Sequence, residues 1–344
     1  MAATALLRRG GEVAGLRRAH PGWLLWNGPG TCARARGAGG VSYAPVRARL
    51  DAGELVVLDG AIGTEILRRE VTWADHQLQT RPELVRSIHS SYLAAGADVI
   101  SSNTFQLSRR GFMQHFKDAE HMRHIGASGL ETRWAELVQA GVRLAQEARQ
   151  AAGLGDSVAV AGAMTTLEWC FRPDLAPSGD AADAEYRELA SVFAEAGCDL
   201  LLIETVNSVR EAVAAARAAR AVGLPCWIAF VPDEAGNLFS GETLAQACAA
   251  LEPLQPDALL VNCAPPSDIA LGLRQLVRHS SAPVGIYPHI GRFDPPEWMF
   301  TDEYPPPRYL ELAREWLASG ARIIGGCCGT TPEHIAQLST RLRM

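Results

Sequence analysis

The residues of this 344-residue chain with the clearest chemical potential are its cysteines, and their positions separate them into unequal groups. Cys32 lies in an arginine-rich leader, while Cys170, Cys198, Cys226 and Cys248 have no companion at metal-ligand spacing and read as small core or loop residues. Cys263, Cys327 and Cys328 differ, because two are adjacent and the third ends an apolar run of its own. A disulfide between sequence neighbours needs a strained ring. Three thiolates without a fourth protein ligand form an incomplete tetrahedron for Zn2+, and an open fourth position marks a catalytic rather than a structural site. On spacing alone, buried free thiols and a redox dithiol stay open as alternatives.

Charge counting indicates what such an open position suits. Zn2+ with three thiolates carries a net single negative charge, a poor Lewis acid for hydrolysis but a tolerant host for one more thiolate. A free thiol of pKa ~8.5 is only about 3% ionised at pH 7, so fixing it as thiolate raises the nucleophile population roughly thirtyfold, equivalent to about 2 kcal/mol. A sulfur-rich, anionic shell keeps that thiolate electron-rich. The matching electrophile is a cation, a sulfonium or quaternary ammonium methyl group, and methyl transfer to a thiol is the chemistry that follows.

Positioning these thiols requires elements that bring distant segments together, and the sequence supplies a repeated unit. Eight short apolar runs, LVVLDG (55–60), ADVISSNTF (97–105), SVAVAGAM (157–164), DLLLIET (199–205), PCWIAFV (225–231), DALLVNC (257–263), APVGIYP (282–288) and ARIIGG (321–326), read as strands. Each precedes a helical pattern: 81–95, 128–152, 181–196, 208–222, 243–251, 268–279, 308–319 and 332–342. Near-continuous apolarity implies strands covered on both faces, as in a parallel sheet. Eight βα units predict the α/β class and one (β/α)8 TIM barrel, rather than an open doubly wound sheet of five or six strands. Barrel chemistry lies at the C-terminal strand ends. Those positions here are Asp59 and Gly60, Asn103 and Thr104, Gly162, Glu204 and Thr205, Phe230, Asn262 and Cys263, Tyr287, and Gly326 with Cys327 and Cys328. Runs six and eight sit two apart around such a barrel, so Cys263 can meet Cys327 and Cys328 above its rim.

Composition fixes the class and divides the chain. It is 48% apolar and 20% charged, with 32 basic and 38 acidic residues, and no apolar run approaches a membrane span. Residues 1–50 hold eight arginines and one acid, Glu12, a local charge of +7 that leaves −13 for the remainder. This basic N-terminal extension is expected to be unfolded, either a transit segment or the product of an upstream start codon taken by mistake; one lysine, Lys117, against 31 arginines indicates GC-rich coding. The catalytic barrel is expected over 51–344. The acidic body excludes a nucleic-acid partner and leaves small molecules as partners, with a homo-oligomer open. The location expected is cytoplasmic, or organellar if the extension is a transit peptide.

At this level of detail the chain resembles the homocysteine S-methyltransferases. The matching pieces are LDGAIGTE (58–65), Trp73, RPELVRSIHSSYLAAGADVISSNTF (81–105), IET (203–205), VNC (261–263) and IIGGCCGTTPEHI (323–335), in order from about 55 to 340. The resemblance implies a (β/α)8 barrel with Cys263, Cys327 and Cys328 as catalytic zinc ligands. It implies a homocysteine site on Asp59, Gly60, Thr104 and Glu204. Glu204 receives the substrate ammonium, Asp59 either binds substrate or fixes its turn, and Thr104 lines the pocket. His89, mid-helix, reads as packing.

The methyl donor is where the match thins. Betaine-using members resemble one another in a Tyr after the strand-four Glu, whereas Thr205 follows Glu204 here, so the chain is more similar to users of S-methylmethionine or S-adenosylmethionine. Those members read YPN after strand seven, and this chain reads Tyr287-Pro288-His289; the loop 165–177, with Trp169 and Phe171, also departs from theirs. The expected reaction is zinc-dependent methyl transfer from a small sulfonium to L-homocysteine, giving methionine. Two alternatives stand beside it: a homocysteine methyltransferase fed by a corrinoid-carrying partner, and a zinc- or thiol-binding barrel without catalysis.

Overall fold

All eight apolar runs form parallel strands, and their order around the sheet is their order in sequence. The computed structural model describes residues 42–69, 77–113, 117–126, 129–294 and 297–343. Its strands are β1 (Val56–Val57), β2 (Val99–Ser101), β3 (Ala159–Met164), β4 (Leu200–Val206), β5 (Cys226–Phe230), β6 (Ala258–Asn262) and β7 (Val284–Tyr287). An antiparallel hairpin, β8 (Arg292–Asp294) and β9 (Glu297–Met299), intervenes before β10 (Ile323–Ile324). β1 pairs with β10 through Val56 and Ile323, and a parallel bridge from Leu58 to Val99 joins it to β2, so the circle closes as the expected single barrel. The helices span Pro82–Ala94, Leu130–Ala151, Asp180–Ala196, Val209–Val222, Leu244–Leu251, Pro266–His279, Pro306–Ala318 and Pro332–Arg341, each within two residues of the expected bounds. No described helix is long and apolar enough to cross a membrane.

Strand alternation creates two packed layers. Val56, Leu58, Ala161, Leu202, Trp227 and Leu260 fill the barrel interior, while neighbours such as Val57, Val160, Leu201 and Ile228 pack outward against the helices. Three strands are preceded by an aspartate that ties the barrel together at its N-terminal end. Asp98, Asp199 and Asp257 each accept a hydrogen bond from a backbone N–H of the neighbouring strand, Val57, Val160 and Cys226 respectively, all at 2.8 Å.

The boundary expected at 50/51 is displaced. A helix, Ala44–Asp51, packs Tyr43, Val46 and Leu50 into the interior cluster, where the Trp227 indole donates to the Tyr43 hydroxyl at 3.1 Å. Ser42 already donates to the Gly155 carbonyl at 2.7 Å, so folded structure begins by Ser42. The charge split misplaced it because Arg47 and Arg49 belong to the fold: they pair with Asp51, Asp257 and Asp98. Residues 1–41 and Trp73 lie outside the described residues.

Candidate active site

Backbone crowding at the end of β10 places the cysteine pair. A side chain at Gly325 would meet that of Leu58 at 2.7 Å, and one at Gly326 would meet the Thr330 hydroxyl at 2.3 Å, so only glycines pass between β1 and Thr330. Gly329 lies in the left-handed region at φ +88°, with the Ile290 carbonyl oxygen 1.7 Å from where a Cβ would sit. The turn is bonded on both sides: Cys327 N–H donates to Pro288 O at 2.8 Å, Ile290 N–H donates to Cys328 O at 2.7 Å, and the Thr330 hydroxyl donates to Cys327 O at 2.7 Å. On the other side β6 ends at Asn262, and Cys263 turns out of the strand at φ +53°.

The result is three sulfur atoms, from Cys263, Cys327 and Cys328, all within 4.8 Å of one another and each residue partly exposed. Tetrahedral zinc with Zn–S bonds of ~2.3 Å would set the sulfurs about 3.8 Å apart, so this donor set fits that ion with an open fourth position. The thiols polarise one another. Hydrogen bonds from Cys263 and then Cys327, with help from nearby His289, hold Cys328 well below the ordinary thiol range, whereas donating those bonds, together with burial, raises Cys263.

Glu204 stands at the end of β4, partly buried beside this cluster. Burial pushes its carboxyl up to about 7, the Cys328 charge adds to the rise, and a hydrogen bond from the Tyr287 hydroxyl to Oε2 at 3.3 Å opposes it. A carboxylate held this way, with no cationic partner among the described residues, is suited to a ligand ammonium. Asp59 is committed elsewhere. Its carboxylate accepts from the Ser101 N–H at 2.8 Å and from the Ser101 hydroxyl at 3.1 Å, locking the end of β1 to β2. Burial, and secondarily the Glu204 charge, drive its pKa well up. Asp59 thus ties the end of β1 to β2 through Ser101. Gly60 is required by space, since a side chain there would meet the Thr330 hydroxyl and the Tyr92 hydroxyl, each at 2.8 Å.

Thr104 does not line the pocket as expected. It is fully buried, its hydroxyl donates to Ala163 O at 2.8 Å, and its methyl packs on Gly141 of the helix Leu130–Ala151. The turn after β2, closed by Thr104 N–H to Ser102 O at 2.9 Å, rotates the side chain away from the mouth. His89 is the packing residue expected: buried, neutral, pushed down to about 4 by burial, and with both ring nitrogens unpartnered among the described residues. Cys170, Cys198, Cys226 and Cys248 are buried core residues, and burial raises Cys170 and Cys198 to about 12.

Sequence placed Tyr287 at a strand end without a role for its hydroxyl, and it did not single out Ser101, Thr330 or the β8–β9 hairpin. The first two are strand-end partners whose neighbours follow from barrel order, so adjacency in the predicted sheet was the available signal. The hairpin sets Trp298 edge-on to His289, with ring centroids 5.6 Å apart. Across the mouth, exposed Phe171 meets Phe239 edge-on at 5.6 Å, next to exposed Trp169.

Comparison with known proteins identifies the family. The family model described as homocysteine S-methyltransferase matches residues 56–342. The chain is similar to homocysteine S-methyltransferase YbgG of Bacillus subtilis, 30% identical over 87% of this chain and 98% of that one. It is also similar to homocysteine S-methyltransferase of Escherichia coli, 31% identical over 86% of this chain and 98% of that one. The crystal structure of the metallated Escherichia coli homocysteine methyltransferase MmuM matches with a TM-score of 0.71 at 29% identity, over 86% of this chain and 99% of that one.

Proposed function

Because the chain belongs to the homocysteine S-methyltransferase family, we propose that it methylates the thiol of L-homocysteine from a small sulfonium donor, S-methylmethionine or S-adenosylmethionine, giving methionine, with zinc on Cys263, Cys327 and Cys328. The observation that carries this reading is the convergence of three thiols from the ends of β6 and β10 within 4.8 Å, beside a carboxylate that has no cationic partner among the described residues. A zinc ion held there would supply the positive charge that keeps one further thiol ionised at neutral pH.

The chain's own groups do the rest. Glu204 receives the ammonium of homocysteine, and the Tyr287 hydroxyl fixes which oxygen faces it. Asp59, bound to Ser101, holds the β1 and β2 ends in place beneath the substrate loop. The substrate thiol gives up its proton to solvent on binding. Its sulfur lone pair then forms the new C–S bond in line with the breaking bond, whose electron pair returns to the donor sulfur and neutralises the sulfonium. No base is needed in that step. The anionic surroundings favour a cationic donor over a neutral one.

The test is an assay of the full chain with homocysteine, zinc and, separately, S-methylmethionine, S-adenosylmethionine, betaine and a methylcobalamin-loaded protein, reading methionine by mass. Turnover with a sulfonium is the expected result. Turnover only with the corrinoid protein, or homocysteine binding without methionine from any donor, overturns it.

A further inference from the structure

Resting on the reading of Glu204 as the ammonium site, we infer that Asn262 is a positioning residue that sets the offset between Glu204 and the three thiols, so that an amino thiol is gripped at both ends at once. The inference starts from the irregularity of β4. Pairing with β5 runs in register to Ile203 and Ile228, then resumes at Val206 and Phe230, so β4 carries one extra residue at Glu204–Thr205. Such a bulge re-aims a side chain and leaves an amide outside the ladder. Here Thr205 adopts φ +58°, an unusual conformation for a β-branched residue, which persists only where its surroundings hold it.

Asn262 is what holds it. The freed Thr205 N–H donates to Asn262 Oδ1 at 3.2 Å, a buried bond that reaches past the end of β5 from β6 to β4. The Thr205 hydroxyl closes the bulge on the other side by donating to Glu204 O at 2.6 Å. Along its own strand Asn262 is followed directly by Cys263, a second non-glycine residue at positive φ. Its register partner on β7 is Tyr287, whose hydroxyl reaches the Glu204 carboxylate. One residue therefore joins the backbone that aims Glu204, the thiol of Cys263 and the hydroxyl that orients Glu204. Because Thr205 N–H can only donate, the amide orientation is fixed, and Nδ2 is left buried with no partner among the described residues.

The experiment uses the full chain loaded with cobalt(II), whose thiolate absorption reports thiol binding independently of turnover. Dissociation constants are measured for homocysteine and for 2-mercaptoethanol, which lacks the ammonium. Asn262→Ala should keep one metal per chain, bind 2-mercaptoethanol within twofold of the native protein and weaken homocysteine at least tenfold. Asn262→Asp, which retains the acceptor oxygen, should recover most of that loss. If Asn262→Ala does not fold, Asn262→Ser, too short to reach Thr205 N–H, carries the same expectation. Loss of metal, or equal weakening of both thiols, overturns the inference, as does unchanged homocysteine affinity. Glu204→Gln is the control for the reading beneath it: if that variant still prefers homocysteine as the native protein does, the ammonium assignment fails; if it loses the preference and Asn262→Ala keeps it, the positioning role fails.

Discussion

Glu204→Gln offers the most quantitative check on how the site recognises its substrate. Burial raises the Glu204 carboxyl from an ordinary 4.5 to about 7, so holding it ionised costs roughly 3 kcal/mol, at 1.36 kcal/mol per pH unit. A bound ammonium offsets that cost and adds a charge-assisted hydrogen bond of about 1.5 to 3 kcal/mol. Glutamine is neutral and cannot form the ion pair, so the variant should lose about 3 kcal/mol of homocysteine binding, on the order of a hundredfold in KM. The sign of the pH effect follows. The carboxylate accepts the ammonium only when ionised, so native kcat/KM for homocysteine should fall more steeply as pH drops through about 7, and in Glu204→Gln the acid limb should become shallower, keeping only the dependence set by loss of the substrate thiol proton. The assay is kcat/KM between pH 5.5 and 8.5 for both proteins at saturating donor. A KM change below threefold, or an acid limb persisting unaltered in the variant, refutes the reasoning.

Other outcomes follow from the same structure. A chain beginning at Ser42 should melt like the full chain, whereas one beginning at Ala52 loses the burial of Tyr43, Val46 and Leu50 and orphans the Trp227 indole, a cost of roughly 5 kcal/mol readable by denaturant unfolding. Gly329→Ala should fail to hold metal, since its Cβ would coincide with the Ile290 carbonyl at a left-handed backbone position; normal metal content by atomic absorption would contradict that. Thr104→Val should destabilise the fold by about 1 to 3 kcal/mol through the unpaired Ala163 carbonyl and Ser102 hydroxyl, while homocysteine KM stays within twofold; a larger KM change would restore Thr104 to the pocket.

What the sequence disclosed and what it hid have separate physical origins. Strands were legible because barrel strands are covered on both faces, so DLLLIET and DALLVNC announce themselves by apolarity, and their polar last residues mark the mouth. The three thiols were legible for the same reason, once the strand count placed β6 and β10 two apart. Thr104 was misread because it lies beyond the end of β2, where alternation no longer dictates direction and a local turn does. The helix Ala44–Asp51 was hidden by its own composition: Arg47 and Arg49 continue the arginine-rich leader in sequence but answer Asp257 and Asp98 in space. The Glu204–Thr205 bulge leaves no trace in residue pattern, because it depends on an acceptor 57 positions away.

The central claim is that Cys263, Cys327 and Cys328 together hold the metal on which thiol methylation depends, and Cys328→Ala tests it most directly. Metal content and methionine formation should be measured on the same native and variant preparations of the full chain. The account predicts one zinc per native chain, and in the variant the loss of both zinc and turnover. Methionine formed at the native rate by metal-free Cys328→Ala protein would contradict it.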